Sequence, residues 1–365
     1  MKYMAEFRVI YTEMLEKHKD SMKKITYILC MVLLCACSHN ASDSLNEEFS
    51  GGMVVPKHFP QPNFPKSNPY SREKALLGRY LFYEPLLVKD TSFPSCSHCL
   101  KQEFAFNNNV DFSKGYGGIS ENRNTMTLAN VVYRKMIFWD GRGNSVDGPA
   151  YRSIFMKNIF ASDTNEIVKR LEATELYPRL FKQAFGPNTK ISTYLAGQAI
   201  ATFVRTLISG NSKYDKYLNG DTTLFSAEEK TGMELFFSER CRCSVCHSGI
   251  FFTDMLPHNT GVTVHYFDQG RWYVTNRRED RSKFITPTLR NIEVTAPYMS
   301  DGFLPTLDSV IEHYNRGGMK FLMKDTLMRP LNLSVYEKKS LIAFLKTLTD
   351  REFLTNKKFS DPHKK

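Results

Sequence analysis

Residues 243–247 read Cys-Ser-Val-Cys-His, and this short run decides how the whole chain is read. Two thiols separated by two residues reach the two vinyl groups of haem c as thioethers. The residue that follows, His247, then turns an imidazole onto the iron. A damaged copy stands upstream, where Cys96-Ser97-His98-Cys99 is followed by Leu100 instead of histidine.

Working outward, the surroundings of both runs repeat as well. Leu77-Gly78-Arg79-Tyr80-Leu81-Phe82-Tyr83 leads to Cys96, and Gly232-Met233-Glu234-Leu235-Phe236-Phe237 leads to Cys243. Thr127-Leu128-Ala129-Asn130 and Trp139-Asp140-Gly141 find their partners in Thr288-Leu289-Arg290-Asn291 and Ser300-Asp301-Gly302. Asn130 to Asp140 and Asn291 to Asp301 span the same interval. That register places Leu100 opposite His247.

Apolar residues recur at helical spacing over 71–87, 166–185, 194–209, 226–237, 306–315 and 334–348. Ser226 with Glu229, and Ser334 with Glu337, have the spacing of capping boxes. Strand-like alternation is scarce. The pattern predicts a mainly α protein of two tandem cytochrome-c-like helical domains with long loops. Residues 71–225 form the first and 226–352 the second, after an upstream segment at 1–37 and a tether at 38–70; a basic tail at 353–365 follows.

A chain of 365 residues with 42% hydrophobic and 24% charged residues suits globular domains of that size. The 13% aromatic content fits the lining of a flat cofactor and equally a Phe-rich core. The formal charge of +11 suits steering toward an acidic redox partner, or plain solubility, and nothing in its pattern calls for nucleic acid. Lys23 and Lys24 followed by a short apolar run from Ile25 to Leu34 read as an export signal too short to span a membrane. It closes on Leu34-Cys35-Ala36-Cys37, which resembles a bacterial lipobox with Cys37 as the lipidated residue. An exported, periplasmic, lipid-anchored chain is therefore expected, and haem c is attached in that compartment. Cys96, Cys99, Cys241, Cys243 and Cys246 remain after the signal. Cys241 reads as a spare thiol or a disulfide partner.

Two tandem domains joined by Phe138-Trp139-Asp140-Gly141-Arg142, Phe203-Val204-Arg205-Thr206-Leu207, Thr286-Pro287-Thr288-Leu289-Arg290-Asn291 and Ala296-Pro297-Tyr298-Met299-Ser300-Asp301-Gly302 resemble the bacterial di-haem cytochrome c peroxidases and their MauG branch. The resemblance spans roughly residues 70–350 and implies a peroxidase. Such an enzyme takes electrons from a small donor such as cytochrome c at a C-terminal haem and reduces hydrogen peroxide at an N-terminal one, as a monomer or a homodimer. It implies covalent haem on Cys243 and Cys246, His247 as axial ligand and Trp139 as the relay between haems. By count from Asp301 the second axial position falls on Tyr314, as in the MauG branch, with Met299 and Met319 as fallbacks. It further implies a Ca²⁺ ion held by Asn124, Thr295 and Pro297, oxygen donors that suit a hard cation.

Departures from the family concentrate in the first domain. Leucine at 100 cannot donate to iron. Ile159 occupies the place of the catalytic glutamate, and an aliphatic chain moves no proton. Ser300 replaces a histidine, and Tyr116 aligns with the distal histidine. Cys96 and Cys99 hold a haem ligated by another group, or pair as a disulfide, or recruit a remote histidine such as His258 or His265. His98 lies between the thiols, where attachment geometry points it away from iron. A zinc site is disfavoured because the two C-x-x-C pairs are far apart. Two further functions compete: a mono-haem electron-transfer cytochrome without catalysis, which follows from these departures, and a MauG-like oxidase acting on a partner protein, which Tyr314 suggests and the missing ligand at Leu100 weakens.

Overall fold

The repeat seen in the sequence is a repeat of helix pairs. In the computed structural model, which describes residues 52–88, 95–155, 163–262, 267–320 and 322–364, α1 (Arg72–Phe82) packs on α5 (Thr193–Arg205), and α7 (Ala227–Phe237) packs on α11 (Val335–Lys346). Glycine makes each pairing close. A Cβ on Gly78 would lie 1.9 Å from the Ala199 carbonyl oxygen, and one on Gly232 would lie 1.8 Å from that of Ser340. Four residues on, Phe82 and Phe236 start matching aromatic clusters. Phe82 meets Phe106 at 5.8 Å and Phe203 at 5.4 Å, and Phe236 meets Phe252 at 5.8 Å and Phe344 at 5.2 Å, ring centroid to centroid.

The loops repeat in the same register. Asn130 and Asn291 both take the left-handed conformation, at φ 58° and 63°, and their backbone amides donate to Leu207 and Leu348 respectively. Thr127 Oγ1 donates to Ala105 O and Thr288 Oγ1 to Phe251 O. The turns at Phe138–Gly141 and Met299–Gly302 match in their positive φ values at both ends. Residues 53–365 form one compact unit. Within it the two repeat asparagines meet. Asn130 Nδ2 donates to Ser209 O, Asn291 Nδ2 to Ser209 Oγ, and the Asp350 amide to Asn291 Oδ1, each at 2.9 Å.

The helices start where their caps place them. Both capping boxes form: Ser226 and Ser334 accept from the amides of Glu229 and Glu337, whose carboxylates accept in return. The expected helix over 166–185 is instead two, α3 (Thr164–Glu172) and α4 (Leu176–Phe185). Pro178 has no N–H for the Thr174 carbonyl, so a continuous helix cannot cross 173–175. Helices α2 (Asp147–Phe155) and α6 (Lys213–Leu218) lie outside the stretches of helical spacing; α6 opens on a third capping box, Ser212 with Asp215. The short helices α8 (Cys243–Cys246) and α9 (Trp272–Thr275) and the helix α10 (Leu307–Asn315) complete the set. One two-stranded antiparallel pairing, β1 (Pro257–His258) with β2 (Phe284–Ile285), is the sheet among the described residues.

Arg290 and Asp215 form a buried bidentate pair at 2.8 and 2.9 Å, and His58 Nε2 lies 3.0 Å from the same carboxylate. Burial opposes ionisation of Asp215, but the bonds from Arg290 and Ser212 outweigh it and hold the carboxyl below its usual range. The C-terminal segment folds back on α1: the buried Arg79 donates Nε to Ser360 O and Nη2 to Lys357 O, and Tyr83 donates its hydroxyl to Phe359 O. No helix among the described residues is long and apolar enough to cross a membrane. The signal at 22–37 with its Cys37, together with Ile159 and His265, lies outside the described residues.

Candidate haem site

α8 carries Cys243 and Cys246 on one turn, entered through a left-handed Arg242 at φ 53° and left through His247. A cavity of about 410 Å³ opens over this turn. Its wall includes Cys243, Cys246, His247, Trp139 and Tyr314, and its apolar side is built from Phe236, Leu289, Leu307, Ile311, Leu341 and Leu345. The sequence-named residues of the second site are therefore gathered round one space.

His247 is prepared as a ligand. Its Nδ1 lies 3.1 Å from the Phe252 carbonyl oxygen. A carbonyl only accepts, so Nδ1 carries the proton and Nε2 keeps its lone pair. Burial lowers the imidazole's pKa, with the Phe252 bond partly opposing, so the ring stays neutral at neutral pH. A neutral imidazole fixed by a carbonyl behind it is the arrangement that metal-ligating histidines use.

Tyr314 projects from α10 into the same cavity. Burial, and then the nearby Cys246 and Cys243 sulfurs, push its phenol well above the usual value. An uncharged phenol is therefore held there until a cation arrives to favour the phenolate. Met299 also borders the cavity, whereas Met319 is 45% exposed and does not. The residues fit haem c: two thiols on one turn, one oriented imidazole, an apolar wall, and an anionic donor in reserve.

Trp139 is 9% exposed and donates Nε1 to Asn124 O at 2.8 Å. Its loop is fixed by Asp140, which accepts from Arg123 at 2.5 Å and Arg142 at 2.6 Å. Asn124, Thr295 and Pro297 border the same cavity, and the Asn124 amide bonds Ser300 O at 2.8 Å. Asn124 Nδ2 donates to Val110 O and Asp111 O, leaving its Oδ1 as the oxygen available to a cation. Ser300 also borders the cavity.

The first site is assembled differently. Cys96 and Cys99 are free thiols on either side of a single 3-10 turn, and neither borders the His247 cavity, nor do Leu100 or Tyr116. Burial pushes the Cys96 thiol up to about 12, and it raises Cys99 against an opposing bond from Ser113. Both groups are thus held as thiols. His98 lies on the same turn, its pKa lowered by burial and by Lys101. His258 is not free for recruitment: Nδ1 lies 2.6 Å from Asp325 Oδ2 and Nε2 2.9 Å from Asp254 Oδ2, beside Cys246. Cys241 is buried beside Cys243, and their contact lowers its own pKa to about 7 while raising that of Cys243.

Residues missed at sequence level are the supports rather than the donors. Asp254 and Asp325 around His258, Arg123 and Asp268 behind the Trp139-Asp140 motif, and Arg134 in the cavity wall carry no motif of their own. Only the position of Arg134, between two repeat motifs, could have drawn the eye.

Fold and site together define a haem c protein built from duplicated cytochrome-type units. Comparison with known proteins agrees. The family described as "Di-haem cytochrome c peroxidase" matches residues 72–223. The methylamine utilization protein MauG of Methylorubrum extorquens is 33% identical over 285 residues, covering 78% of this chain and 80% of that one. The cytochrome-c peroxidase IdrP1 of a Pseudomonas strain is 32% identical, covering 79% and 84%. A solved MauG-like protein associated with microbial copper homeostasis superposes with a TM-score of 0.80 at 33% identity, over 84% of this chain and 98% of that one. The chain belongs to the di-haem cytochrome c peroxidase and MauG family, a family of haem oxidoreductases.

Proposed function

We propose that this chain is an exported haem c oxidoreductase whose working centre is the His247 cavity, drawing electrons from a small donor protein and delivering them toward hydrogen peroxide. The observation that carries this reading is the convergence of Cys243, Cys246, His247, Tyr314 and Trp139 on one space. When bound, haem c supplies a one-electron couple there. Cys243 and Cys246 tether it, and His247 presents Nε2. Tyr314 offers a phenolate, a hard anion that favours oxidised iron and lowers the potential relative to a thioether. Trp139, reached from the cavity and rooted in the first repeat, is the side chain through which charge would leave. Asn124, Thr295 and Pro297 would hold Ca²⁺ beside it. Export with a lipidated Cys37 places the protein on a membrane surface by its anchor alone.

A second reading, a mono-haem electron-transfer cytochrome, is favoured by Leu100, which gives the first site no iron donor from its motif. Haem content separates the two. Two haems by haemochrome and intact mass, with peroxide consumed at the expense of a reduced donor protein, support the oxidoreductase. One haem and no peroxide consumption support the cytochrome instead. The MauG-like oxidase reading rests on Tyr314 and requires oxidation of a partner protein in the same assay.

A further inference from the structure

Cavity walls that receive a charged ligand usually hold an opposite charge with nothing else to do. Among the described residues the arginines on its wall are Arg134, Arg242 and Arg329; Arg242 faces the Glu239 carboxylate at 3.8 Å, its Nε unpartnered, and the exposed Arg329 donates Nη2 to Glu239 O at 3.1 Å. Arg134 differs. Its Nη2 donates to Thr127 O at 2.6 Å and Ala129 O at 3.2 Å, and no carboxylate among the described residues pairs with it. Nε and Nη1 keep their donors, and the side chain borders the His247 cavity. The two carbonyl bonds fix the guanidinium plane, so those donors are held in place rather than swinging.

We infer that Arg134 is an anion-receiving group of this cavity and takes a carboxylate of the haem. The inference rests on haem occupying the cavity and adds the group that orients and charge-balances it. Burial alone lowers the pKa of Arg134, to about 10. An arginine partly withdrawn from water and without a carboxylate partner gains from an anion whose two acceptor oxygens make a bidentate bond. The position has no counterpart in the second repeat. In the register that aligns Asn130 with Asn291, Arg134 falls opposite Thr295. The first repeat thus adds a charge to a wall that already carries Arg242 and Arg329 from the second.

The test uses exported holoprotein and the variants Arg134→Gln and Arg134→Lys, with haem content read by haemochrome and midpoint potential by spectroelectrochemistry. A cation paired with the haem carboxylate favours the reduced iron. Arg134→Gln with a full haem complement should therefore lower the Fe(II) to Fe(III) ratio about tenfold at fixed solution potential, as loss of one charged hydrogen bond implies. Arg134→Lys should restore most of it. An unchanged midpoint in Arg134→Gln overturns the inference while the haem reading stands; a wild-type protein without haem overturns both. A free anion shares the chemistry, so inorganic phosphate is titrated at constant ionic strength. A wild-type midpoint that moves with phosphate, and stops moving in Arg134→Gln, assigns the group to a free anion and overturns the haem carboxylate. Should Arg134→Gln fail to mature, the propionate bending band in resonance Raman spectra decides. It should shift between wild type and Arg134→Lys, and an identical band overturns the pairing.

Discussion

The two repeats share a skeleton and differ in what the skeleton holds. Gly78 and Gly232 meet carbonyls at 1.9 and 1.8 Å, and two Phe trios repeat to within 0.2 Å in their centroid separations. Yet one repeat presents a neutral, oriented imidazole to a cavity, and the other presents Leu100 beside two protonated thiols. Packing has been kept where the chemistry has changed. Backbone approach and aromatic interlock therefore specify this fold, and the ligand set is a separable layer on top of them.

The sharpest way to break that comparison is to exchange the ligands. His247→Ala should abolish the normal low-spin haem spectrum, because among the described residues the cavity offers no second imidazole with a free lone pair; His258 is engaged by Asp254 and Asp325. Leu100→His should create or strengthen a high-spin signal. Optical and EPR spectra check both. A Leu100→His spectrum identical to wild type would show that the first pocket has lost its haem shape as well as its ligand.

Next in size is the pair that only one repeat carries. Arg290 is buried against Asp215, whereas its register partner in the first repeat is Ala129. Arg290→Ala takes the bidentate cationic partner from a buried carboxylate, leaving it His58 and Ser212, and should cost about 3–5 kcal/mol in denaturant unfolding. The pH dependence has a definite sign. The Asp215 carboxyl is held below its unfolded value of about 3.9, so its stabilisation is full above that pH and is lost as pH falls through the lower folded value. Wild type should therefore lose stability on acidification below about pH 4, and Arg290→Ala should lose less. Equal acid sensitivity in the two would move the effect to another group.

How much of this was legible follows the same division. The duplication, the helix pairs and the donors were readable because C-x-x-C-H, Thr-x-x-Asn and Asp-Gly each fix local geometry within a few residues. Both capping boxes were readable for the same reason. The break at 173–175 was in principle readable from Pro178, but the strong apolar period on either side masked it. Arg134, Asp254, Asp325 and the Arg290–Asp215 pair were not readable. Each becomes a partner through contacts 4 to 75 residues away in sequence, created by the packing and not by any local pattern. Supports for a site are set by tertiary structure, and donors by motif.

A smaller effect comes from the glycines. Gly78→Ala and Gly232→Ala each force a helix pair apart, since a Cβ cannot sit within 2 Å of a carbonyl oxygen. Each should cost about 1–3 kcal/mol. Thermal unfolding followed by circular dichroism reads both. The comparison sharpens in the haem spectrum: Gly232→Ala shifts α7 and α11, whose Phe236, Leu341 and Leu345 line the cavity, and should perturb it. Gly78→Ala should leave it alone. A spectrum disturbed equally by both would mean that the repeats respond as one rigid body.

The smallest effect probes whether they also unfold as one. Ser71 caps α1 with a single bond to the Lys74 amide, while Ser226 caps α7 as half of a reciprocal box. Ser71→Ala and Ser226→Ala should each cost about 1 kcal/mol. Their interest lies in which transition moves. Ser209, Asp350, Asn130 and Asn291 tie the loops of both repeats through buried bonds at 2.9 Å, and the segment after residue 352 returns to pack on α1. Opening one repeat would strand those polar groups without partners, which costs more than either cap contributes. A single calorimetric transition, displaced by similar amounts in the two variants, is therefore expected. Two transitions, each answering to one variant, would mean that the duplicated units kept their independence along with their skeleton.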